Sequence, residues 1–417
     1  MIGSELPKGW KLVPLKEITS IIRGVSYPKE EAKLHPEENY VHILRGGNIQ
    51  DGKIVFETDD NVYVNSSLVG EEQFVLKDDV VIVASTGSKK VIGKAATIEE
   101  DSRCISFGAF LLLLRTNVID KRFHSYFFQT QYYRNTISSL AGGININNIK
   151  KEHIENLQIP LPPLTEQKQI AEKLDKLFDQ IGTIKEASNK IPELLKNFRQ
   201  QVLTYAVTGK LLESTPEPRM LGELIDELKY GTSKKADYDI EGFPVLRIPN
   251  INNGEIDSSD LKYVPLDDKE YNQLALQEGD ILVIRSNGSL SIVGQCAIVR
   301  KECENWVYAG YLIRIRCTHE LLPEYLNYIF QSYQVRKQIV EKSHSMSGVN
   351  NFSADKIKQL EIAWYPVEVQ KQIVEKLNSI FGKLNEIEKQ YNTLCEKLDK
   401  LPQTLLCKAF KGELVYD

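Results

Sequence analysis

Glu166-Gln167-Lys168-Gln169-Ile170-Ala171-Glu172-Lys173-Leu174 returns as Val369-Gln370-Lys371-Gln372-Ile373-Val374-Glu375-Lys376-Leu377, 203 residues further along. The same interval carries Ala206, Gly209 and Leu211 onto Ala409, Gly412 and Leu414, so the two segments have equal length. The match extends upstream with small changes of interval. Leu44-Arg45-Gly46-Gly47-Asn48-Ile49 pairs with Leu246-Arg247-Ile248-Pro249-Asn250-Ile251, residues 79–88 pair with 280–289, and Gly143-Ile144-Asn145 pairs with Gly348-Val349-Asn350. Loops differ in length while elements persist. A chain made of two copies folds as two similar units, here in the order globular unit, helix, globular unit, helix. The boundaries fall at 1–160, 161–212, 213–364 and 365–417.

Each globular unit reads as α+β. Short β-rich runs such as 80–84 and 281–284 are broken by Ser, Asn and Gly turns, and a helical stretch follows around 121–139 and 322–342.

The segments between and after the units carry a different period. Ile170, Leu174, Leu177, Ile181, Ile184, Ser188, Ile191, Leu195, Phe198, Val202 and Tyr205 alternate spacings of four and three, and ten of the eleven are apolar or aromatic. Ile373, Leu377, Ile380, Leu384, Ile387, Tyr391, Leu394, Leu398, Leu401, Leu405 and Lys408 repeat the pattern, again with ten of eleven. Sustained over five heptads, this is the seam of a coiled coil. Pro162-Pro163 and Pro366 precede the helices, Thr165 is placed to cap the first, and Gly209 and Gly412 stand where they stop. Pro192 and Pro402 fall inside and are expected to bend or interrupt them.

Connectivity sets the direction of pairing. The second helix leaves the second unit and must run back to lie along the first, which predicts two long antiparallel coiled-coil helices and a pseudo-twofold internal repeat.

Composition bounds the function. Hydrophobic residues make up 42% and charged residues 26% of the 417, a globular profile. The start, Met1-Ile2-Gly3-Ser4-Glu5-Leu6-Pro7, has neither the basic nor the apolar stretch of a signal peptide. The longest apolar run, Phe110-Leu111-Leu112-Leu113-Leu114, is far short of a membrane span. The expected location is cytoplasmic. Cys104, Cys296, Cys303, Cys317, Cys395 and Cys407 form no Cys-x-x-Cys pair and bring no His at zinc-finger spacing, so no metal site is expected. A net charge of −5 argues weakly against nucleic acid, although contacts depend on local patches rather than on the sum.

Catalytic signatures are missing. Thr208-Gly209-Lys210-Leu211 fails the phosphate-loop spacing, no Asp/Asn-Pro-Pro-Tyr/Phe sequence occurs, and the six histidines form no metal-binding pair. The expectation is a chain without cofactor that is not an enzyme.

Two similar but non-identical units held at a fixed interval suit a target with two different half-sites, and duplex DNA is one. Ser85-Thr86-Gly87-Ser88-Lys89-Lys90 and Arg285-Ser286-Asn287-Gly288-Ser289 are glycine-bearing turns rich in hydroxyl, amide and basic groups. Such groups meet phosphates, and Asn or Arg forks read base edges, although the same composition is the default of any turn. The candidate DNA-binding residues are Arg45, Asn48, Ser85, Thr86, Ser88, Lys89, Lys90, Asn145, Arg247, Asn250, Arg285, Ser286, Asn287, Ser289 and Asn350.

Across essentially its whole length the chain resembles the type I restriction-modification specificity subunits. The resemblance rests on Leu6-Pro7-Lys8-Gly9-Trp10-Lys11-Leu12-Val13-Pro14-Leu15, on Arg45-Gly46-Gly47-Asn48-Ile49, on Ile159-Pro160-Leu161-Pro162-Pro163-Leu164-Thr165-Glu166-Gln167-Lys168-Gln169-Ile170 and on Ala206-Val207-Thr208-Gly209-Lys210-Leu211. The second copy departs from it, with Trp364-Tyr365-Pro366 in place of a double proline and no Gly-Trp opening. The resemblance implies two target recognition domains that each read half of a split sequence in double-stranded DNA. It also implies helices that set the gap and help dock two modification (methyltransferase) subunits, with restriction subunits as further partners. The chemistry, with S-adenosylmethionine and ATP, would belong to those partners.

Two other readings stay open from the residues alone. A free-standing DNA-binding regulator would lack a methyltransferase partner, and a coiled-coil scaffold would never shift DNA in a gel. The acidic balance predicts weak DNA affinity for the lone chain, rising once partners enclose the duplex.

Overall fold

The computed structural model describes residues 6–50, 52–56, 61–141, 147–343 and 350–415. It divides into two compact units, residues 1–188 with 393–417, and residues 189–392.

At the centre of the first unit lies an antiparallel sheet in the order Ser20–Arg23, Leu111–Arg115, Val80–Val83 and Ala95–Thr97. Its middle strands are unbroken apolar runs because both of their faces are covered. The period of two sorts their side chains. Val80, Ile82, Leu112 and Leu114 join Phe123, Phe127 and Ile137 of the helical layer, whereas Val81, Val83, Leu111 and Leu113 join Leu44, Ile49 and Phe107 on the other side. The latter belong to or adjoin a three-stranded sheet, Ile105–Phe107, Tyr40–Leu44 and Val62–Asn65, whose first pairing is parallel. Lys11–Pro14 pairs with Gln158–Leu161 just before the first long helix.

The second unit repeats this plan. Its four-stranded sheet runs Ile225–Tyr230, Leu312–Cys317, Ile281–Ile284 and Cys296–Ile298, and its three-stranded sheet Lys262–Val264, Phe243–Leu246 and Val307–Tyr308. The same alternation sends Ile281 and Val283 to one core and Leu282 and Ile284 to the other. An ion pair to a buried aspartate recurs at both central strands. Arg115 meets Asp79 at 2.6 Å, and Arg316 meets Asp280 at 2.8 Å, where the almost fully buried Arg314 adds a bond to Glu227.

The single helical stretch expected in each unit is two helices. Lys121–Phe127 and Gln131–Leu140 break at Thr130, whose hydroxyl accepts the Tyr133 N–H; Pro323–Gln331 and Tyr333–Ser343 break at Ser332, whose hydroxyl turns back to the Ile329 carbonyl. Local hydroxyl-to-backbone bonds offer the chain an exit from the helix at these points.

The long helices are Leu164–Ser188, Ile191–Val207 and Val367–Ala409. Pro192 does interrupt, sitting in the first turn of Ile191–Val207, but Pro402 lies within Val367–Ala409 and does not end it. Thr165 is not the cap, because the helix already includes Leu164 and the Pro163 carbonyl takes the Glu166 and Gln167 N–H groups. Gly209 and Gly412 follow the last turns with φ of 83° and 77°. A Cβ at Gly209 would run into the Ser214 carbonyl, and one at Gly412 into Pro7, so glycine is required twice over.

What fastens each helix start to its domain is a glutamine from the repeated motif. Gln167 accepts the Asp120 N–H at 2.9 Å and donates to the Pro162 carbonyl at 2.8 Å. Gln370 accepts the Leu322 N–H at 2.8 Å and donates to Glu320 and Tyr365 carbonyls at 2.8 and 2.7 Å. Both are buried, and both satisfy the first turn of a domain helix.

Within the first unit Lys173 reaches the Leu414 carbonyl and Lys185 the Asp399 carboxylate, each at 2.6 Å. Within the second, Arg199 reaches Asn385 at 2.7 Å and Lys376 the Leu211 carbonyl at 3.0 Å. In each pair of segments one number rises as the other falls. The expected seam is buried where it also touches a domain core, at Ile170, Leu174, Val202, Ile373, Leu377 and Leu384. Ile181 and Leu398 are buried as well, and Leu177, Leu195, Ile380 and Leu405 are half-buried. Ile184, Phe198, Ile387, Leu394 and Leu401 differ from expectation and stay exposed. A seam side chain that packs only on another helix keeps one flank in water.

Candidate nucleic-acid interface

Two of the sequence candidates leave the surface altogether. Asn48 and Asn250 are fully buried: each side-chain oxygen accepts the N–H of the preceding arginine, Arg45 or Arg247, at 2.8 Å. Their amide groups donate to the Val55 carbonyl at 2.9 Å and to the Asp257 and Asp260 carbonyls at 2.8 Å. They hold the turn that presents the arginine. A buried amide satisfied on both sides has no donor or acceptor to offer a base. Asn350 is likewise buried and donates to the Gly288 carbonyl at 3.0 Å, fastening its loop from inside. Asn145 lies outside the described residues.

The glycine-bearing loops extend directly from the central strands. Ser85–Thr86 pairs with Asn147–Asn148, and Ser286–Asn287 pairs with Asn350–Asn351. Tight side-chain turns follow: the Thr86 hydroxyl accepts the Ser88 N–H at 3.3 Å and Asn287 accepts the Ser289 N–H at 2.9 Å. Ser88, Lys89 and Lys90 are exposed, as is Ser289, while Ser85, Thr86, Ser286 and Asn287 are partly exposed. An arginine missed in the sequence braces each loop from below. Arg134 donates to the Ile92 carbonyl at 2.6 Å, and Arg336 to the Val293 carbonyl at 2.8 Å. They occupy matching positions of the two copies, a signal the repeat already carried.

In the first unit the two candidate turns come together. Arg45, Gly46 and Gly47 line one side of a groove of about 870 Å³, and Ser85 and Thr86 line another. Tyr27, Lys29, Leu34 and Phe110 complete the wall, none of them picked out by the sequence. Phe110 is 65% exposed, and its counterpart Tyr311 is 62% exposed. Both lend their carbonyl to the loop beside them, Phe110 to Ala84 and Ser85, Tyr311 to Arg285. An aromatic at the same exposed position of both copies was readable from the alignment of the repeats.

Charge is arranged differently in the second unit. Arg247 is tied to Asp260 at 2.9 Å and Lys234 to Glu270 at 2.7 Å. The Tyr238 hydroxyl, and then Arg247, hold the Asp260 carboxyl below its usual range, and Lys234 does the same for Glu270. Arg285 instead lies over the Tyr230 ring, 4.7 Å from its centroid. The two surfaces therefore offer different donor patterns on one scaffold.

Among the described residues no group of three or more His, Cys, Asp or Glu is placed to hold a metal ion, and no helix is long and apolar enough to cross a membrane. Burial pushes the Cys296 thiol up to about 12, so it stays protonated beside Asn327.

Residues 7–193 and 214–397 each match the family model of the type I restriction modification DNA specificity domain. The chain belongs to this family. It is 40% identical to the specificity subunit of the type I restriction enzyme EcoKI of Escherichia coli K12, over 99% of this chain and 91% of that one. It is 36% identical to the StySPI specificity subunit of Salmonella potsdam over the same shares. Its fold aligns with a chain from a type I restriction-modification system solved to explain complex assembly and conformational transition, at a TM-score of 0.71, 19% identity and coverage of 99% and 100%. The HsdS subunit from Thermoanaerobacter tengcongensis aligns at 0.66, with 19% identity and 98% of both chains. This type I specificity subunit thus carries one DNA specificity domain in each repeat, and the loops and groove described above lie within the matched regions.

Proposed function

We propose that this non-catalytic specificity subunit reads a bipartite sequence in double-stranded DNA, one target recognition domain per half-site. The domains correspond to 1–160 and 213–364, and the helical segments 161–212 and 365–417 form an antiparallel coiled coil that sets the gap between half-sites. In this reading the subunit docks two modification subunits and the restriction subunits, works in the cytoplasm, and leaves methylation and cleavage to its partners. The carrying observation is the recurrence in both copies of a hydroxyl- and amide-rich loop, paired with a second segment and set beside an exposed aromatic, with different side chains in each copy. Equal scaffolds with unequal faces suit unequal half-sites. The opposed numbering of the helix contacts supports the antiparallel pairing.

Of the candidate contacts, Arg45, Ser85, Thr86, Ser88, Lys89 and Lys90 remain for the first half-site, and Arg247, Arg285, Ser286, Asn287 and Ser289 for the second. Mapping adenine methylation in a host that carries the intact system tests the reading. A split motif that disappears with this gene is expected; methylation that persists without it, or an undivided motif, would refute it.

A further inference from the structure

The second unit contains eight arginines: Arg199, Arg219, Arg247, Arg285, Arg300, Arg314, Arg316 and Arg336. Seven have a polar partner for the guanidinium within the unit: Asn385, Glu320, Asp260, Glu255, Glu227, Asp280 and the Val293 carbonyl, in that order with Arg285 passed over. Arg285 alone, among the described residues, has none, and its Nε is buried without an acceptor. Its plane is nevertheless held. The guanidinium stacks over Tyr230, and Tyr230 is pinned because its hydroxyl accepts the Ala354 N–H at 3.0 Å. The backbone is fixed on both sides, with the Arg285 N–H on the Tyr311 carbonyl at 2.9 Å and its own carbonyl receiving the Phe352 N–H at 2.7 Å.

A positively charged fork kept flat, desolvated along one edge and left without an anion among the described residues is pre-organised for a planar acceptor from outside. On duplex DNA the planar two-point acceptor is the O6/N7 edge of guanine. The side chain leaves the end of the same strand that carries the Ser286–Asn287 loop, within the surface assigned above to the second half-site. In the first unit the matching positions hold Ala84 and Arg23 in place of Arg285 and Tyr230, so no stacked fork stands there.

We infer that Arg285, stacked on Tyr230, reads a guanine in the half-site of the second domain, and that the first domain has no equivalent reader. This rests on the DNA-reading function proposed above. The subunit is assembled with its modification subunits, and the methylated motif is mapped for the wild type, Arg285→Ala, Arg285→Lys and Tyr230→Leu. For Arg285→Ala and Arg285→Lys one G·C position of one half-site should become degenerate, with discrimination falling about 5- to 150-fold. The other half-site should stay unchanged, which also reports that the variant is folded. Tyr230→Leu, which keeps the charge but loosens the plane, should give a partial loss at the same position.

An unaltered motif, with or without a uniform drop in affinity and a shallower salt dependence, overturns the inference; the latter result would make Arg285 a phosphate contact. Full activity of Arg285→Lys overturns it too, since a lysine keeps the charge without the fork. Should the wild-type complex show no split motif, it is the proposed function that fails, not the assignment of Arg285 within it.

Discussion

The indole N–H of Trp10 donates to the Glu166 carboxylate at 3.0 Å, and both side chains are buried. The bond ties the opening of the chain to the first turn of the helix Leu164–Ser188. In the second copy both partners are gone together, with Val369 at the place of Glu166 and no Gly-Trp opening. Glu166→Ala leaves a buried N–H unpaired, which costs about 1–3 kcal/mol. Trp10→Phe with Glu166→Leu, which removes both polar ends as the second copy does, should be less destabilising than the sum of the single changes. Urea midpoints followed by circular dichroism measure this; additive single and double variants would show that the two residues do not interact.

His124 gives the first unit a pH dependence. It is fully buried, with Nε2 on the Thr19 hydroxyl at 2.9 Å and Nδ1 without a partner among the described residues, and burial lowers it to about 3. The unfolded chain binds this proton near pH 6.5 while the folded chain refuses it. The neutral ring's contribution is therefore complete above about pH 6.5 and is lost as pH falls toward 3, with a slope of up to about 1.4 kcal/mol per pH unit. His124→Gln should flatten the stability curve across that window, and an unchanged slope would acquit this residue.

Lys89 and Lys90 are exposed at the tip of their loop. In the proposed function they are phosphate contacts, which would add affinity without sequence information. Replacing both by alanine in the assembled complex should reduce the slope of log affinity against log salt by about 2, with the methylated motif unaltered. A changed motif would instead make one of them a base reader.

The helical segments give a test of length. Four residues inserted at Asn189-Lys190, between the helices ending at Ser188 and starting at Ile191, add about 6 Å if they extend the helix. The gap in the methylated motif should grow by one or two base pairs with both half-sites kept. Altered half-sites with a constant gap would remove the ruler role.

Much of this was legible in the residues. The repeat predicted the two equivalent units, and short β-rich runs marked the strands at 80–84 and 281–284, although only the structure shows both of their faces covered. The side chains of the candidate surface were harder to sort. Asn48 and Asn250 have the composition of a reading turn, yet an amide that reads a base and one that closes a turn look alike until its partners are placed. Phe110 heads an apolar run, where only its match with Tyr311 of the second copy marks the side chain that turns outward just before the strand Leu111–Arg115. The seam of the long helices was read from period alone, and period does not say where a second covering layer ends, as Ile184 and Leu394 demonstrate.

Gly412 sits so close to Pro7 that a single added carbon would strike the proline ring. Two segments more than 400 residues apart in the chain therefore meet inside the first unit. A circular permutant with those regions joined and new termini opened in the stretch 212–216 would keep each helix and strand described above intact.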